Sequence, residues 1–185
     1  NLDQNYLQII DNYFDLKDIL KHYFYFRDTV GWKFLGSARD FNKWRKFNYE
    51  LNFKNKIEKT FKASSELLLK QANYFDLLKL ESVYASANPY GTVHEAHTDF
   101  PKQSQGGITI MYYLNSDWSL DYAGETVFYN DNKDIMSSII PKPGRLVMFD
   151  SMIKHCARDV RRDVNDLRMV LTFKYHKVAS RSTSR

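Results

Sequence analysis

The sequence predicts a mainly β fold of the α+β class, with its helices confined to the N-terminal part of the chain. Apolar residues recur at helical spacing only before residue 77, and from Leu77 onward they alternate with a period of two. Short strand-like runs then follow one another, separated by residues that favour turns. Because short strands joined by turns must bury one face, this pattern predicts a closed or double-layered β structure flanked by helices.

The N-terminal part is expected to hold two strands and two helices. Residues 6–10 predict a strand, and Asp15 is a suitable N-cap for a first helix that carries Ile19, His22 and Tyr23. Residues 32–35 predict a second strand, and residues 54–74 show one apolar stripe at helical spacing. Residues 38–47 have no clear period and are predicted to form a loop.

The rest of the chain is predicted to be strands joined by turns. Residues 78–86 alternate and end at the turn-forming sequence of residues 88–91. Further strands are expected at residues 108–114, 126–129, 145–149 and 168–175, and another strand is expected to end near residue 140. We find no internal repeat, so we predict one domain: a helix-rich support at residues 1–76, a β core at 77–177 and a mobile tail at 178–185.

Charge and composition exclude several classes of protein. The formal net charge of +5 comes from 27 basic and 22 acidic residues, and because the two signs are mixed along the chain we do not expect a nucleic-acid partner. No apolar run is long enough to span a membrane, and no signal-peptide pattern is present. The single cysteine, Cys156, fits a reducing compartment, so a cytoplasmic protein is expected. Its side chain should be small, apolar and buried, while the oligomeric state stays open.

A possible metal site follows the first long strand. His97 and Asp99 stand two residues apart, which on an extended segment places their side chains on the same side of the backbone. His155 lies 58 positions later, far enough for the chain to return. Two imidazoles and one carboxylate on one face of a metal form the facial triad of non-heme Fe(II) oxygenases. His94 and His176 are expected to be solvated.

Four segments around these residues resemble the 2-oxoglutarate- and Fe(II)-dependent dioxygenases, most closely the prolyl 4-hydroxylase branch. Residues 111–118 are similar to that family's Tyr-Leu-Asn-x-x-Trp strand and turn, and residues 123–128 resemble its Gly-Gly-Glu-Thr-x-Phe strand. Residues 141–149 and 168–173 resemble the segment before the distal histidine and the closing strand. The resemblance covers about residues 77–177, with a weaker match at residues 9–25.

The resemblance implies a double-stranded β-helix, also called a jelly roll, with iron near one open end. It implies His97, Asp99 and His155 as the ligands of Fe(II), with 2-oxoglutarate as co-substrate, O2 as oxidant and ascorbate as an additional reductant. Arg168 would pair with the distal carboxylate of 2-oxoglutarate, because a guanidinium suits that planar anion. The other implied contacts of the co-substrate are Thr172, Tyr113, Tyr84 and Thr126.

The resemblance also implies an activity, with alternatives. It implies hydroxylation of a prolyl residue in a peptide or protein, over which loops at residues 38–47, 87–93 and 100–106 could close. Arg158, Arg161 and Arg162 are rivals of Arg168, and the loop of twelve residues between His155 and Arg168 is longer than is usual in this branch. The alternatives are an AlkB-like nucleic-acid demethylase, a hydroxylase of another amino acid or a small molecule, and a non-catalytic β-barrel binding module.

Overall fold

The computed structural model describes residues 6–35, 46–92, 94–100 and 106–178 of the chain. Its two α-helices are α1 (Leu16–Phe24) and α2 (Lys56–Gln71), and single π- or 3-10-helical turns occur at Tyr25–Thr29, Phe75–Leu77 and Leu120–Tyr122. The described strands are β1 (Leu7–Ile10), β2 (Lys33–Leu35), β3 (Lys46–Glu50), β4 (Leu78–Asn88), β5 (Gly107–Tyr113), β6 (Thr126–Tyr129), β7 (Ile135–Ile139), β8 (Leu146–Asp150), β9 (Lys154–Ala157) and β10 (Arg168–Lys177).

The strands form two antiparallel sheets that pack face to face. The large sheet has the order β1-β8-β5-β10-β4-β3-β2, and the small sheet has the order β7-β6-β9. Side chains of alternate residues on β5, β8 and β10 meet Phe128 and Ile139 of the small sheet in a buried core. This arrangement confirms the predicted mainly β, jelly-roll architecture with N-terminal helices.

The opposite face of the large sheet is covered by the helices. Phe61, Leu68 and Leu69 of α2 pack against residues such as Ile110 and Phe173, which point away from the small sheet. Two buried hydroxyl pairs fix the register of helix and sheet: Ser64 with Tyr112 at 2.8 Å and Ser65 with Tyr175 at 2.6 Å. The helices therefore support the sheet whose other face carries the site described below.

Both helices begin at side-chain caps. The backbone N–H of Asp18 donates to the carboxylate of Asp15 at 2.8 Å, as predicted, and the N–H of Glu58 donates to the side-chain oxygen of Asn55 at 2.9 Å. His22 lies on α1 as predicted, and it is buried against Phe14 and Phe61, where burial lowers its pKa to about 4.

One predicted loop is wrong in part. Residues 38–47 were expected to be irregular, but Lys46 and Phe47 begin β3, which pairs with β4 on one side and β2 on the other. Polar and aromatic residues do alternate along β3, but this run of five residues is too short to stand out in the sequence. Residues 38–45 of that loop, 101–105 of another, Val93 and the predicted tail from residue 179 lie outside the described residues. No helix among the described residues has the length and apolarity needed to cross a bilayer.

Candidate active site

A pocket opens between the two sheets, at the end where β4, β10 and β5 carry polar residues on their inward faces. Because strand side chains alternate, residues 84, 86 and 88 of β4 lie on one face of the large sheet. Residues 168, 170 and 172 of the adjacent strand β10 are paired with them and lie on the same face. The pocket is lined by Lys46, Tyr84, Ser86, Asn88, His94, His97, Asp99, Thr109, Met111, Thr126, His155, Ala157, Arg168, Val170 and Thr172. Seven of the eight sequence-predicted site residues thus line it, and the eighth, Tyr113, contacts Thr126 from behind the lining.

The three predicted metal ligands meet in this pocket. One ligand atom from each of His97, Asp99 and His155 lies within 4.8 Å of the others. The Nε2 atom of His97 is 3.7 Å from Oδ1 of Asp99, and the Nε2 atom of His155 is 3.8 Å from the same oxygen. The two histidines are held by reciprocal backbone hydrogen bonds, from His97 N–H to His155 O at 3.0 Å and from His155 N–H to His97 O at 2.9 Å.

Hydrogen bonds to the backbone fix which nitrogen of each imidazole faces the carboxylate. Nδ1 of His97 is 2.9 Å from the carbonyl of Glu95, and Nδ1 of His155 is 2.9 Å from the carbonyl of Ile153. Because a carbonyl only accepts, each Nδ1 must carry the proton, which leaves the lone pair on Nε2. Burial lowers the pKa of His155, although Asp99 opposes that shift. The site therefore turns the Nε2 atoms of two imidazoles toward one carboxylate.

Asp99 is held by two polar side chains besides the imidazoles. Oγ1 of Thr109 donates to Oδ2 at 2.5 Å, and Nζ of Lys174 lies 2.7 Å from Oδ1. The Asp99 side chain is 1% exposed. Burial raises the pKa of Asp99, but the charges of His155 and Lys174 and the hydrogen bonds from Lys174 and Thr109 outweigh it, so the pKa lies below its usual value. The carboxylate is ionised and its orientation is fixed.

Arg168 is buried at the other end of the pocket. It is 3% exposed, and its Nε donates to the carbonyl of Gly124 at 2.5 Å while Nη2 donates to Oγ1 of Thr126 at 2.8 Å. Gly124 has a φ of +78°, and a Cβ there would lie 3.2 Å from Cδ of Arg168. Both the backbone conformation and the nearby arginine therefore favour glycine at this position. A guanidinium has five N–H donors, so three stay available after these two bonds. Among the described residues, no carboxylate forms an ion pair with it.

The remaining predicted residues divide into two groups. Tyr113 supports Arg168: its hydroxyl pairs with Oγ1 of Thr126 at 2.7 Å, and its ring centroid lies 5.5 Å from the guanidinium carbon. Tyr84 lines the pocket nearer to Asp99, with Nζ of Lys174 5.4 Å from its ring centroid. Thr172 faces the pocket between these two ends, opposite Tyr84 on β4. The structure thus brings all eight predicted residues to one site.

The rival arginines lie at the surface. Arg158, Arg161 and Arg162 are exposed, and Arg161 forms an ion pair with Asp163 at 2.8 Å. The loop that carries them packs back onto the pocket rim, since the carboxylate of Asp159 accepts from the backbone N–H of Gly91 at 3.0 and 3.1 Å. Of the arginines in the described part of the chain, Arg168 is the one that lines the pocket.

Sequence reasoning missed several residues of the pocket. His94 was expected to be solvated, but it is partly buried in the pocket lining, and burial together with Arg168 lowers its pKa to about 3. Asn88 is 3% exposed, and its Oδ1 is buried without a hydrogen-bond partner. Ser86 and Lys46 also line the pocket. Position on the inward face of β4 could have identified Asn88 and Ser86, because Tyr84 shares that face.

Comparisons with known proteins agree with this geometry. Residues 84–176 match the model of a protein family described as the 2OG-Fe(II) oxygenase superfamily. No curated protein sequence matches this chain.

Several solved structures have a similar fold. One is a prolyl hydroxylase from Trichoplax adhaerens in complex with a peptide fragment of the hypoxia inducible factor oxygen degradation domain (TM-score 0.71, 16% identity, covering 92% of this chain and 83% of that chain). Another is a Pseudomonas putida prolyl-4-hydroxylase (TM-score 0.70, 17% identity, 93% and 92%). A third is SnoN, a non-heme alpha ketoglutarate dependent epimerase from nogalamycin biosynthesis (TM-score 0.69, 12% identity, 94% and 78%).

Proposed function

This chain belongs to the 2OG-Fe(II) oxygenase superfamily, and from that premise we propose that it hydroxylates a prolyl residue in a peptide or protein. The superfamily uses Fe(II), 2-oxoglutarate and O2. Hydroxylation would consume O2 and 2-oxoglutarate and release succinate and CO2. The observation that carries the proposal is a buried arginine without a carboxylate partner, among the described residues, in the same pocket as a His-Asp-His cluster.

The cluster fits a divalent iron. Nε2 of His97 and Nε2 of His155 carry lone pairs and face the same oxygen of Asp99, at 3.7 and 3.8 Å. Two imidazole nitrogens and one carboxylate oxygen are the donor set of the non-heme iron oxygenases. The Nδ1 bonds to Glu95 and Ile153 orient the rings from outside, as such ligands require. We therefore assign His97, Asp99 and His155 as the residues that hold the metal.

Arg168 fits the distal carboxylate of 2-oxoglutarate. A buried guanidinium without a counter-ion is costly, so the fold is expected to keep it for an anionic ligand. Its Nε donates to the carbonyl of Gly124 and its Nη2 donates to Thr126. These two hydrogen bonds fix the plane of the guanidinium and therefore the direction of its remaining N–H donors. Thr172 faces the same space and can add a hydroxyl donor. Tyr113 and Thr126 position the arginine, and Tyr84 borders the co-substrate nearer to Asp99.

The chemistry is divided between the cofactors and the chain. O2 would supply the oxidising power and the oxygen atom that replace a substrate C–H bond by C–OH, with 2-oxoglutarate as the two-electron co-reductant and Fe(II) as the centre that brings them together. The chain holds the metal through the triad, orients the co-substrate through Arg168, and lines the pocket with polar side chains and with the apolar side chains of Met111, Val170 and Ala157.

The proposed substrate rests on likeness and on sequence. Two of the similar structures are named as prolyl hydroxylases, one of them with a bound peptide. A proline-containing segment is already extended in solution, which lowers the entropy cost of binding in a groove. SnoN has a similar fold and is named as an epimerase, so fold alone does not decide the substrate.

The deciding experiment offers the enzyme proline-rich peptides and methylated oligonucleotides in parallel, with Fe(II), 2-oxoglutarate and ascorbate. We expect succinate release coupled to the gain of one oxygen on proline. Demethylated bases with untouched peptides would assign the chain to the nucleic-acid branch. Succinate release that neither substrate stimulates would leave the oxygenase assignment standing and contradict the prolyl substrate.

A paired variant tests the co-substrate site. Arg168→Ala should weaken 2-oxoglutarate binding by well over tenfold, because losing one partner of a buried charge pair costs on the order of 2–5 kcal/mol. Metal binding should stay unchanged, since the triad does not touch Arg168. The matched control is Arg162→Ala, an exposed arginine that should do little. A larger loss in Arg162→Ala than in Arg168→Ala would contradict the assignment.

A further inference from the structure

Lys174 makes a contact that neither the metal cluster nor the co-substrate site explains. Its Nζ lies 2.7 Å from Oδ1 of Asp99, and this oxygen is the one that faces Nε2 of both histidines. A ligand carboxylate needs a free oxygen toward the metal, so an ammonium group and a divalent ion would approach the same atom. The proposed function gives Lys174 no role.

The pairing of β10 with β5 places Lys174 at this contact. Lys174 of β10 pairs directly across from Thr109 of β5, and the two side chains hold the two oxygens of Asp99 between them. Thr109 donates to Oδ2, and Lys174 contacts Oδ1. The register of β10 against β4 shifts between Lys174 and Tyr175, and such bulges redirect side chains next to sites.

We propose that Lys174 is a positioning residue that occupies the ligand oxygen of Asp99 in the metal-free protein and withdraws when the metal binds. This inference rests on the proposed metal site. In the metal-free protein the ammonium balances the charge of a carboxylate that is 1% exposed. A divalent ion on Oδ1 repels the ammonium at close range, so metal binding and the contact of Lys174 with Asp99 oppose each other. The Lys174 side chain is 16% exposed, and its long stem lets the ammonium move toward water.

The displaced ammonium has two opposite consequences. It stabilises the metal-free protein, because it neutralises a buried carboxylate. It lowers the affinity of the site for the metal, because the ammonium has to move away from the ligand oxygen. A residue that only supports the fold would lower both the stability and the metal affinity when it is replaced. The two readouts therefore move in opposite directions if the charge of Lys174 opposes the metal, and they fall together if Lys174 only supports the fold.

The test compares metal-free protein and Co²⁺-loaded protein for wild type and Lys174→Met. We expect the melting temperature of the metal-free variant to fall by roughly 5 °C or more. We expect its Co²⁺ affinity, measured by competition with a chromophoric chelator, to rise by about tenfold or more, because the competing charge is gone. Lys174→Gln serves as a second neutral variant and should tighten Co²⁺ in the same way, while Lys174→Arg keeps the charge and should not.

Two controls separate the possible failures. Lys177→Met removes a lysine from the same strand away from Asp99, and should leave Co²⁺ affinity unchanged. His155→Ala should abolish high-affinity Co²⁺ binding. If wild type fails to bind Co²⁺, or His155→Ala binds as well as wild type, the proposed metal site and this inference are both wrong. If wild type binds through the triad and both neutral variants bind Co²⁺ no more tightly, only the role of Lys174 is overturned.

Discussion

Two buried carboxylates, Glu58 under the large sheet and Asp99 in the pocket, are satisfied in opposite ways. Glu58 is 0% exposed and accepts four hydrogen bonds, from the hydroxyls of Tyr25 and Tyr49 at 2.7 Å each and from the backbone N–H groups of Asn52 and Phe53 at 3.1 and 2.6 Å. All four donors are neutral. Asp99 accepts one neutral hydrogen bond, from Thr109, and faces a lysine and two imidazole lone pairs.

The difference shows what marks a functional carboxylate. Burial alone raises the pKa of both groups, but hydrogen bonds outweigh it at Glu58, and the charges of His155 and Lys174 together with hydrogen bonds outweigh it at Asp99, so both pKa values lie below the usual ones. A lowered pKa therefore does not distinguish them. The partners do, because the donors around Glu58 tie the turn at Tyr25–Thr29, β3 and α2 together, whereas the partners of Asp99 can be exchanged for a metal.

Removing the carboxylate that joins these elements should produce the largest effect. Glu58→Ala leaves four donors without their acceptor in a buried place, so we expect the free energy of unfolding to fall by about 3–5 kcal/mol. Urea unfolding followed by circular dichroism measures it. Glu66→Ala is the matched control on the same helix, since Glu66 makes only a half-exposed pair with Lys62 at 3.9 Å. A loss below about 1 kcal/mol in Glu58→Ala would show that the cluster is not an anchor.

The second prediction concerns function instead of stability. Asp99→Asn removes the charged metal ligand but keeps the size of the side chain, and Lys174 can reach water. We expect succinate formation to fall to background and Co²⁺ to give no thermal stabilisation, while the unfolding free energy of the metal-free protein changes by less than about 2 kcal/mol. If Asp99→Asn is as unstable as Glu58→Ala, the contrast between the two carboxylates fails.

A smaller change tests how Asp99 is oriented. Thr109→Val removes the hydroxyl that donates to Oδ2 and keeps the shape of the side chain. We expect Co²⁺ affinity to fall by about tenfold, in the range found for residues that orient metal ligands. Thr60→Val on the exposed face of α2 is the control and should leave Co²⁺ affinity unchanged. Equal affinities of Thr109→Val and wild type would mean that Thr109 does not orient the ligand.

The smallest effect is a change in acid sensitivity. The pKa of Glu58 in the folded protein is lowered from the usual 4.5, so below pH 4.5 the unfolded chain binds more protons than the folded one. The stabilisation from Glu58 is complete above pH 4.5 and is lost as the pH falls through the folded pKa. Glu58→Gln should therefore be less stable than wild type at pH 7, and the gap should narrow below pH 4.5. Parallel pH profiles of the two proteins would contradict this.

Sequence alone predicted the fold where periodicity or capping had a clear physical cause. The strands that carry Tyr84 and Arg168 alternate because one face meets the helices and the other the pocket, and Asp15 caps α1 by a local hydrogen bond. β3 escaped prediction because its alternation of polar and aromatic residues is only five residues long and overlaps the irregular segment 38–47. The register that makes strands into neighbours cannot be read from one strand by itself.

The metal ligands and Arg168 were predicted from the sequence, but the residues that contact them were not. His97 and Asp99 are close in sequence, and the triad and Arg168 follow the family pattern. Lys174 and Thr109 lie 65 positions apart and become a pair only through the register of β10 against β5. His94 was expected to be solvated, because nothing in its immediate sequence reveals the wall that β3 and β4 form around it. The sequence identified the residues that would bind metal and co-substrate, whereas the residues that surround them are determined by the pairing of strands distant in sequence.

The reciprocal backbone bonds between His97 and His155 set an order of events during synthesis. A ribosome releases His97 and Asp99 long before it reaches His155, so the first two ligands must wait for the last strands. Contacts between such distant segments form late in folding. A metal binds tightly only when its ligands are already in place, so the incomplete chain binds iron weakly. We therefore expect iron to enter the finished protein, and a cell short of iron to accumulate folded, metal-free enzyme.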